Sequence, residues 1–192
     1  MKSNTAIVCL SPYSGGMEID SIKLAKKLSH YTKIVLVAKE GKFIANQSSE
    51  YVGLNGIMLE TINFRSSISL SIVFRMREII KKFDIKNVIF FGASELKSLY
   101  FAFLGCDINL IVRHGTTKSR PKKDWFHRLI YSNVNYHVSI CEHLQKNVEY
   151  IIPFGKNSKS VLIYSSLEFK DTKKIQHEKL ALVHVGRVAR GK

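Results

Sequence analysis

Acidic residues are scarce in this chain. Fifteen Asp and Glu stand against thirty Lys and Arg, a formal charge of +15. A surface so short of negative charge attracts phosphate-bearing partners: nucleic acid, anionic lipid or nucleotide. Cysteine is scarce too. Cys9, Cys106 and Cys141 are odd in number, far apart and form no Cys-x-x-Cys pair. That excludes a disulfide framework and a zinc site of the usual spacing, and it fits a reducing, cytoplasmic setting. No apolar run approaches the roughly 18 residues of a membrane span. The apolar stretch before Ser11-Pro12 is shorter than the ~7–15 residues of a signal-peptide core, so contact with a membrane is expected to be peripheral. Several catalytic signatures are missing as well. The chain has no Gly-x4-Gly-Lys-Ser/Thr loop, no Gly-x-Ser-x-Gly elbow and no His/Cys/Asp cluster at metal spacing. A P-loop ATPase is therefore out, and neither a metal nor a cofactor is expected.

What is present is an alternation of two patterns. Short β-rich apolar runs lie at 5–10, 34–37, 87–91, 108–112, 136–140 and 160–164, with a weaker one at 56–62. Between them, apolar residues recur every three or four positions over 18–28, 68–83, 96–103 and 125–131, and another helix begins at 141–148. Unbroken apolar strands separated by amphipathic helices imply βαβ units. The expected fold is α/β: a Rossmann-like, open, mostly parallel sheet with helices on both faces. Residues 168–179 are polar and charged and read as a linker, so 1–167 forms one domain. A fresh apolar strand then begins at Leu180 and the sequence stops at Lys192, as if opening a second domain (180–192).

Four segments can carry chemistry. Gly15-Gly16 follows the first strand and opens the first helix. Its backbone can approach a phosphate at the helix N-terminus, or it is simply a tight turn. Arg113-His114 ends the 108–112 strand, the edge where open α/β sheets bind ligands; His114 contacts substrate there or is a structural histidine. The other histidines, His137 among them, read as structural, in exposed helix, strand or linker positions. Lys118, Arg120, Lys122 and Lys123 run into Trp125-Phe126. This composition suits a membrane surface or an anionic acceptor, stacked single-stranded bases, or a solvated loop whose rings turn inward. Near the end, Gly186, Arg187 and Lys192 form Gly-Arg-x4-Lys after a strand, a pattern that can clamp a diphosphate.

The order of these pieces resembles the retaining GT-B glycosyltransferases of family 4. A glycine pair follows the first strand, a histidine follows a mid-domain strand, Val138-Ser139-Ile140 leads into a helix, and Val185-Gly186-Arg187 with Lys192 opens the donor domain. The chain departs from the family in reading Tyr164-Ser165-Ser166-Leu167 where Asn-Gly is common. The resemblance implies that Gly15 and Gly16 approach the donor diphosphate and that His114 contacts the donor sugar. It implies that Arg187 and Lys192 neutralise the leaving group, an electrostatic contribution that is often the largest in catalysis. It also implies a nucleotide-sugar donor, no cofactor, and hexosyl transfer with retention. The missing C-terminal domain would hold the nucleotide, so this fragment is expected to be inactive alone.

A basic acceptor domain with Arg113 and the Lys118–Trp125 segment suits an anionic lipid-linked or glycan acceptor at the inner membrane surface. Synthesis of lipopolysaccharide or another bacterial cell-surface polysaccharide is the expected setting, and nucleic acid is the less favoured partner. Two other readings compete: a non-catalytic basic α/β module that binds an anionic ligand, and a different GT-B enzyme such as a nucleotide-sugar epimerase or an inverting heptosyl transferase.

Overall fold

A computed structural model describes residues 4–165. The expected linker (168–179), the expected opening of a second domain (180–192), Arg187 and Lys192 all lie outside the described residues.

Seven strands form one sheet in which every pairing is parallel. They are β1 (Asn4–Cys9), β2 (Ile34–Lys39), β3 (Met58–Ile62), β4 (Ile85–Phe91), β5 (Asn109–His114), β6 (Tyr136–Ser139) and β7 (Lys159–Leu162). The helices are α1 (Gly16–Leu28), α2 (Phe43–Asn46), α3 (Leu70–Phe83), α4 (Leu96–Phe103), α5 (Trp125–Tyr131) and α6 (Glu142–Ile151). The strand order is β3-β2-β1-β4-β5-β6-β7. The chain winds outward from β1 in one direction and from β4 in the other, so the topological switch lies between β1 and β4. This is the Rossmann-like α/β fold expected from the alternating patterns, with mostly parallel sharpened to wholly parallel. The pattern predicted nothing between β2 and β3, where α2 and two 3-10 turns (48–50 and 54–56) lie. A four-residue helix is too short to leave a periodic signal.

Side-chain alternation divides the core into two layers. Ala6 and Val8 of the first strand and Leu10 just after it, with Val88, Phe90, Leu110 and Val112, meet Ile72, Met76 and Ile79 of α3, Leu99 of α4, Ile130 of α5 and Leu144 of α6. Ile7, Cys9, Ile34 and Leu36 face the other way, onto Ile22 and Ala25 of α1 and Ile44 of α2. Right-handed crossovers dictate this split: connections leading outward past β2 fall on one face, those past β4 on the other. Burial pushes the Cys9 thiol up to about 12, so it packs as an inert apolar group.

Candidate functional site

The carboxyl ends of β1 and β4 flank the switch point, where ligands of open α/β sheets settle. After β1 the chain turns through Gly15 into α1. Gly15 is extended, and the first turn of α1 has no side-chain cap, so its leading N–H groups face outward. A Cβ added at Gly16 would meet nothing within 4 Å, and one at Gly15 would lie 3.1 Å from the Glu18 carboxylate. An anion would have open space only over Gly16, since the buried Glu18 carboxylate closes the space beside Gly15. After β4, Gly92 makes a turn at φ 150°, and Glu95 follows with its carboxyl held above the usual carboxylate range, chiefly by burial. Glu95 was not legible as a site residue, because only the fold brings it near Cys9 and Lys39 at the carboxyl edge of the sheet.

Arg113 and His114 are neighbours in sequence but go to opposite faces of β5. Arg113 turns toward α1. Its Nη2 donates to Asp20 Oδ2 at 2.7 Å and to Ser165 Oγ at 3.1 Å, and its guanidinium lies 5.0 Å over the Phe91 ring. An arginine read as an acceptor contact is thus engaged inside the domain, fastening β5 to the first turns of α1. The sequence pattern offered no sign of Asp20 as its partner.

His114 turns to the other layer and is buried. Its Nε2 lies 3.1 Å from Nδ1 of His137, and the two rings stack. His137 is not an exposed strand residue as the pattern implied. It is fully buried, 4.3 Å from the Phe154 ring centroid. Among the described residues, the Nε2 of His137 and the hydroxyl of Ser139, at the end of β6, have no partner. Burial, with help from the neighbouring ring and Lys118, pushes His114 down to about 3, and burial with Lys118 pushes His137 down to about 4. Both rings are therefore neutral near pH 7. A neutral His114, its Nε2 facing His137, supplies no charge at this edge.

The basic segment leaves this edge. The Lys118 N–H donates to Asn147 Oδ1 at 2.9 Å, and Asn147 Nδ2 donates back to the Lys118 carbonyl at 3.0 Å. The Lys122 N–H then reaches the Ile151 carbonyl, at the end of α6. Because α6 starts beside the carboxyl end of β6 and runs back down the sheet, the segment descends along it toward the amino ends of the strands. Lys118 is half-buried and pushed down to about 8 by burial and by Lys122. Arg120 and Lys123 are exposed, and the Lys123 ammonium sits 5.3 Å over Tyr150. Trp125 projects into solvent while Phe126 is half-buried, packed against the core. The residues grouped as acceptor or membrane contacts therefore divide: Arg113 lies inside and Lys118 half inside, and the rest lie on a flank far from Gly15-Gly16. Below them a groove of about 640 Å³ is lined by Lys123, Arg128, Glu149, Pro153 and Phe154.

Asn147 is the clamp for this descent. Asn147→Ala removes two hydrogen bonds to one residue and is expected to cost about 1–2 kcal/mol. It should also speed hydrogen exchange at the Lys118 amide at least tenfold while leaving α4 unaffected. An unchanged exchange rate would mean that the segment is held by something else.

Among the described residues, no three His, Cys, Asp or Glu side chains converge as metal ligands, and no helix is long and apolar enough to cross a membrane. No protein-family model matches the chain, and no curated protein does. Solved structures do match it. A glycosyltransferase from Rickettsia africae superposes with a TM-score of 0.66 at 18% identity, over 85% of this chain and 43% of that one. HepE of Anabaena, in complex with UDP and glucose, gives 0.62 at 13% identity, over 85% of this chain and 45% of that one. A UDP-N-acetylglucosamine 2-epimerase from Rickettsia bellii gives 0.54 at 16% identity, over 84% and 44%. The chain spans less than half the length of each. Its fold is that of one Rossmann-like half of the GT-B architecture, which serves both transferases and epimerases.

Proposed function

We propose that this chain is the acceptor-side half of a GT-B glycosyltransferase that takes a nucleotide-sugar donor. The observation that carries the reading is the carboxyl edge of the sheet at the switch point between β1 and β4. There the uncapped start of α1 behind Gly15-Gly16, the Gly92–Glu95 turn and the Arg113–Asp20 pair meet at the carboxyl edge of the sheet. HepE, of the same fold, is described with UDP and glucose, which supports a nucleotide-sugar over other phosphates.

In this reading the α1 amides and dipole face the donor diphosphate, and Gly15 and Gly16 keep side chains out of its way. His114, neutral, hydrogen-bonds the donor sugar. Arg187 and Lys192 complete the diphosphate clamp from the donor side, and transfer proceeds with retention of a hexosyl unit. The acceptor is an anionic lipid-linked or glycan molecule of cell-surface polysaccharide synthesis, approached along the Lys118–Trp125 flank at the inner membrane surface. Alone, the chain binds donor weakly and does not turn over.

The test is a titration of the isotopically labelled chain with UDP-sugars, watched by amide NMR. Shifts should concentrate at Gly15, Gly16, Met17 and the Gly92–Glu95 turn, with weak, roughly millimolar affinity because one domain supplies only part of the contacts. Shifts confined to the Lys118–Arg128 flank that vanish with salt would instead favour a non-catalytic module for anionic ligands.

A further inference from the structure

Three helices on one face of the sheet share an outer surface that a solvated layer does not need. On α3 the residues that reach the core are Ile72, Met76 and Ile79, yet the opposite side carries Leu70 and Phe74, 73% and 68% exposed. Leu104 and Phe101 project from the end of α4, and Trp125 (76% exposed) and Leu129 sit one turn apart on the outside of α5. The helices are neighbours. Ser98 of α4 bonds the backbone of Ser67 and Ser69 at the start of α3, and Arg77 donates to the Phe101 and Leu104 carbonyls. α4 in turn packs against α5, so the outward residues of the three helices lie on one side of the molecule.

Cations outnumber acids on these helices. The three hold six lysines and arginines and one acid, Glu78, which Arg75 engages at 2.6 Å; Glu60 of β3 also pairs with Arg75 and Lys82, each at 2.7 Å, and Asp124 caps α5 beside Trp125. By contrast α1, on the other face, holds two acids and three lysines. Apolar side chains interleaved with cations, with a tryptophan among them, match the interface of an anionic bilayer. There rings and aliphatic side chains enter the headgroup boundary, and lysine and arginine stems reach the phosphates. A protein partner would also accept the apolar residues, but it would need its own acidic surface to answer these cations.

We infer that the outer face of α3, α4 and α5 is a docking surface for an anionic lipid bilayer, with Leu70, Phe74 and Trp125 as its inserting residues. This deepens the membrane side of the proposed function but rests on none of its transfer chemistry.

Trp125 is the sole tryptophan of the chain, so the surface carries its own probe. With vesicles of phosphatidylglycerol, the 192-residue chain should show a blue shift of tryptophan emission and protection from an aqueous quencher. Phosphatidylcholine vesicles should give neither, and added salt should weaken the effect. Leu70→Ser/Phe74→Ser, which changes only exposed positions, should weaken partitioning at least about tenfold. Tyr31→Ser, an exposed ring at the end of α1, should not. The proposal fails if bound chain keeps its tryptophan open to quencher. It also fails if the double variant binds as well as the parent, or if the surface drives self-association without vesicle binding. None of these measurements contains a sugar nucleotide, so this inference and the donor-site reading can fail separately.

Discussion

Acidification from pH 7 to pH 4 is expected to remove about 3–6 kcal/mol of stability through two side chains alone. His114 and His137 are buried with their ring nitrogens 3.1 Å apart, so adding a proton to either places a charge in a low-dielectric layer beside Lys118. In the folded chain they titrate at about 3 and about 4, while an unfolded histidine titrates near 6.5. The folded values are depressed, so the unfolded chain takes up protons first. The stability contribution is complete above pH 6.5 and is lost as the pH falls toward the folded values. Against a typical total of about 5–15 kcal/mol, the loss can unfold the domain.

Urea unfolding at a series of pH values reads this directly. Between about pH 6 and 5 the stability should fall by roughly 2.7 kcal/mol per pH unit when both rings contribute. His137→Phe puts a non-titrating ring beside Tyr131 and Phe154 and removes one of the two protonations. Its slope should drop to roughly 1.4 kcal/mol per pH unit, whatever the variant's stability at neutral pH. Equal slopes would mean that the pair is not what senses acid.

The second large effect is at Gly92. Its φ of 150° is a region that side-chain-bearing residues rarely enter, and an added Cβ would lie 2.8 Å from Phe90 Cζ. Phe90 is fully buried in the central strand β4, so its ring cannot step aside without disturbing the core. Gly92→Ala therefore combines backbone strain with overpacking and is expected to cost about 2–4 kcal/mol. The two parts can be separated. In a Phe90→Leu background the steric part is relieved and the backbone part remains, so Gly92→Ala should cost less there than in the parent. If the two substitutions add within about 0.5 kcal/mol, the ring is not the obstacle. Because Gly92 turns the chain at the switch point, the same variant should also disturb the amide signals of Gly15 and Gly16.

The sheet was legible because its information is local. Strands buried on both faces must be apolar throughout, and helices covering them must be apolar on one side. Each of the seven strands and the five longer helices can therefore be read from its own residues within a few positions. The glycine pair after β1 and the histidine ending β5 could be placed at the carboxyl edge for the same reason, since position along a strand is a sequence property. α2 escaped because one helical turn has no period.

Partners across the fold were a different matter. That Arg113 meets Asp20 and that His114 meets His137 depends on which strands neighbour each other and which face a side chain takes. Those are set by crossover handedness and register, not by residues near one another in sequence. Composition likewise announced a basic chain with aromatic residues beside its lysines, without deciding whether their rings face out or in. Only the packing of α3, α4 and α5 side by side decided that Leu70, Phe74 and Trp125 share one surface, since burying one side of each helix against the sheet leaves the other side no choice but to face out together.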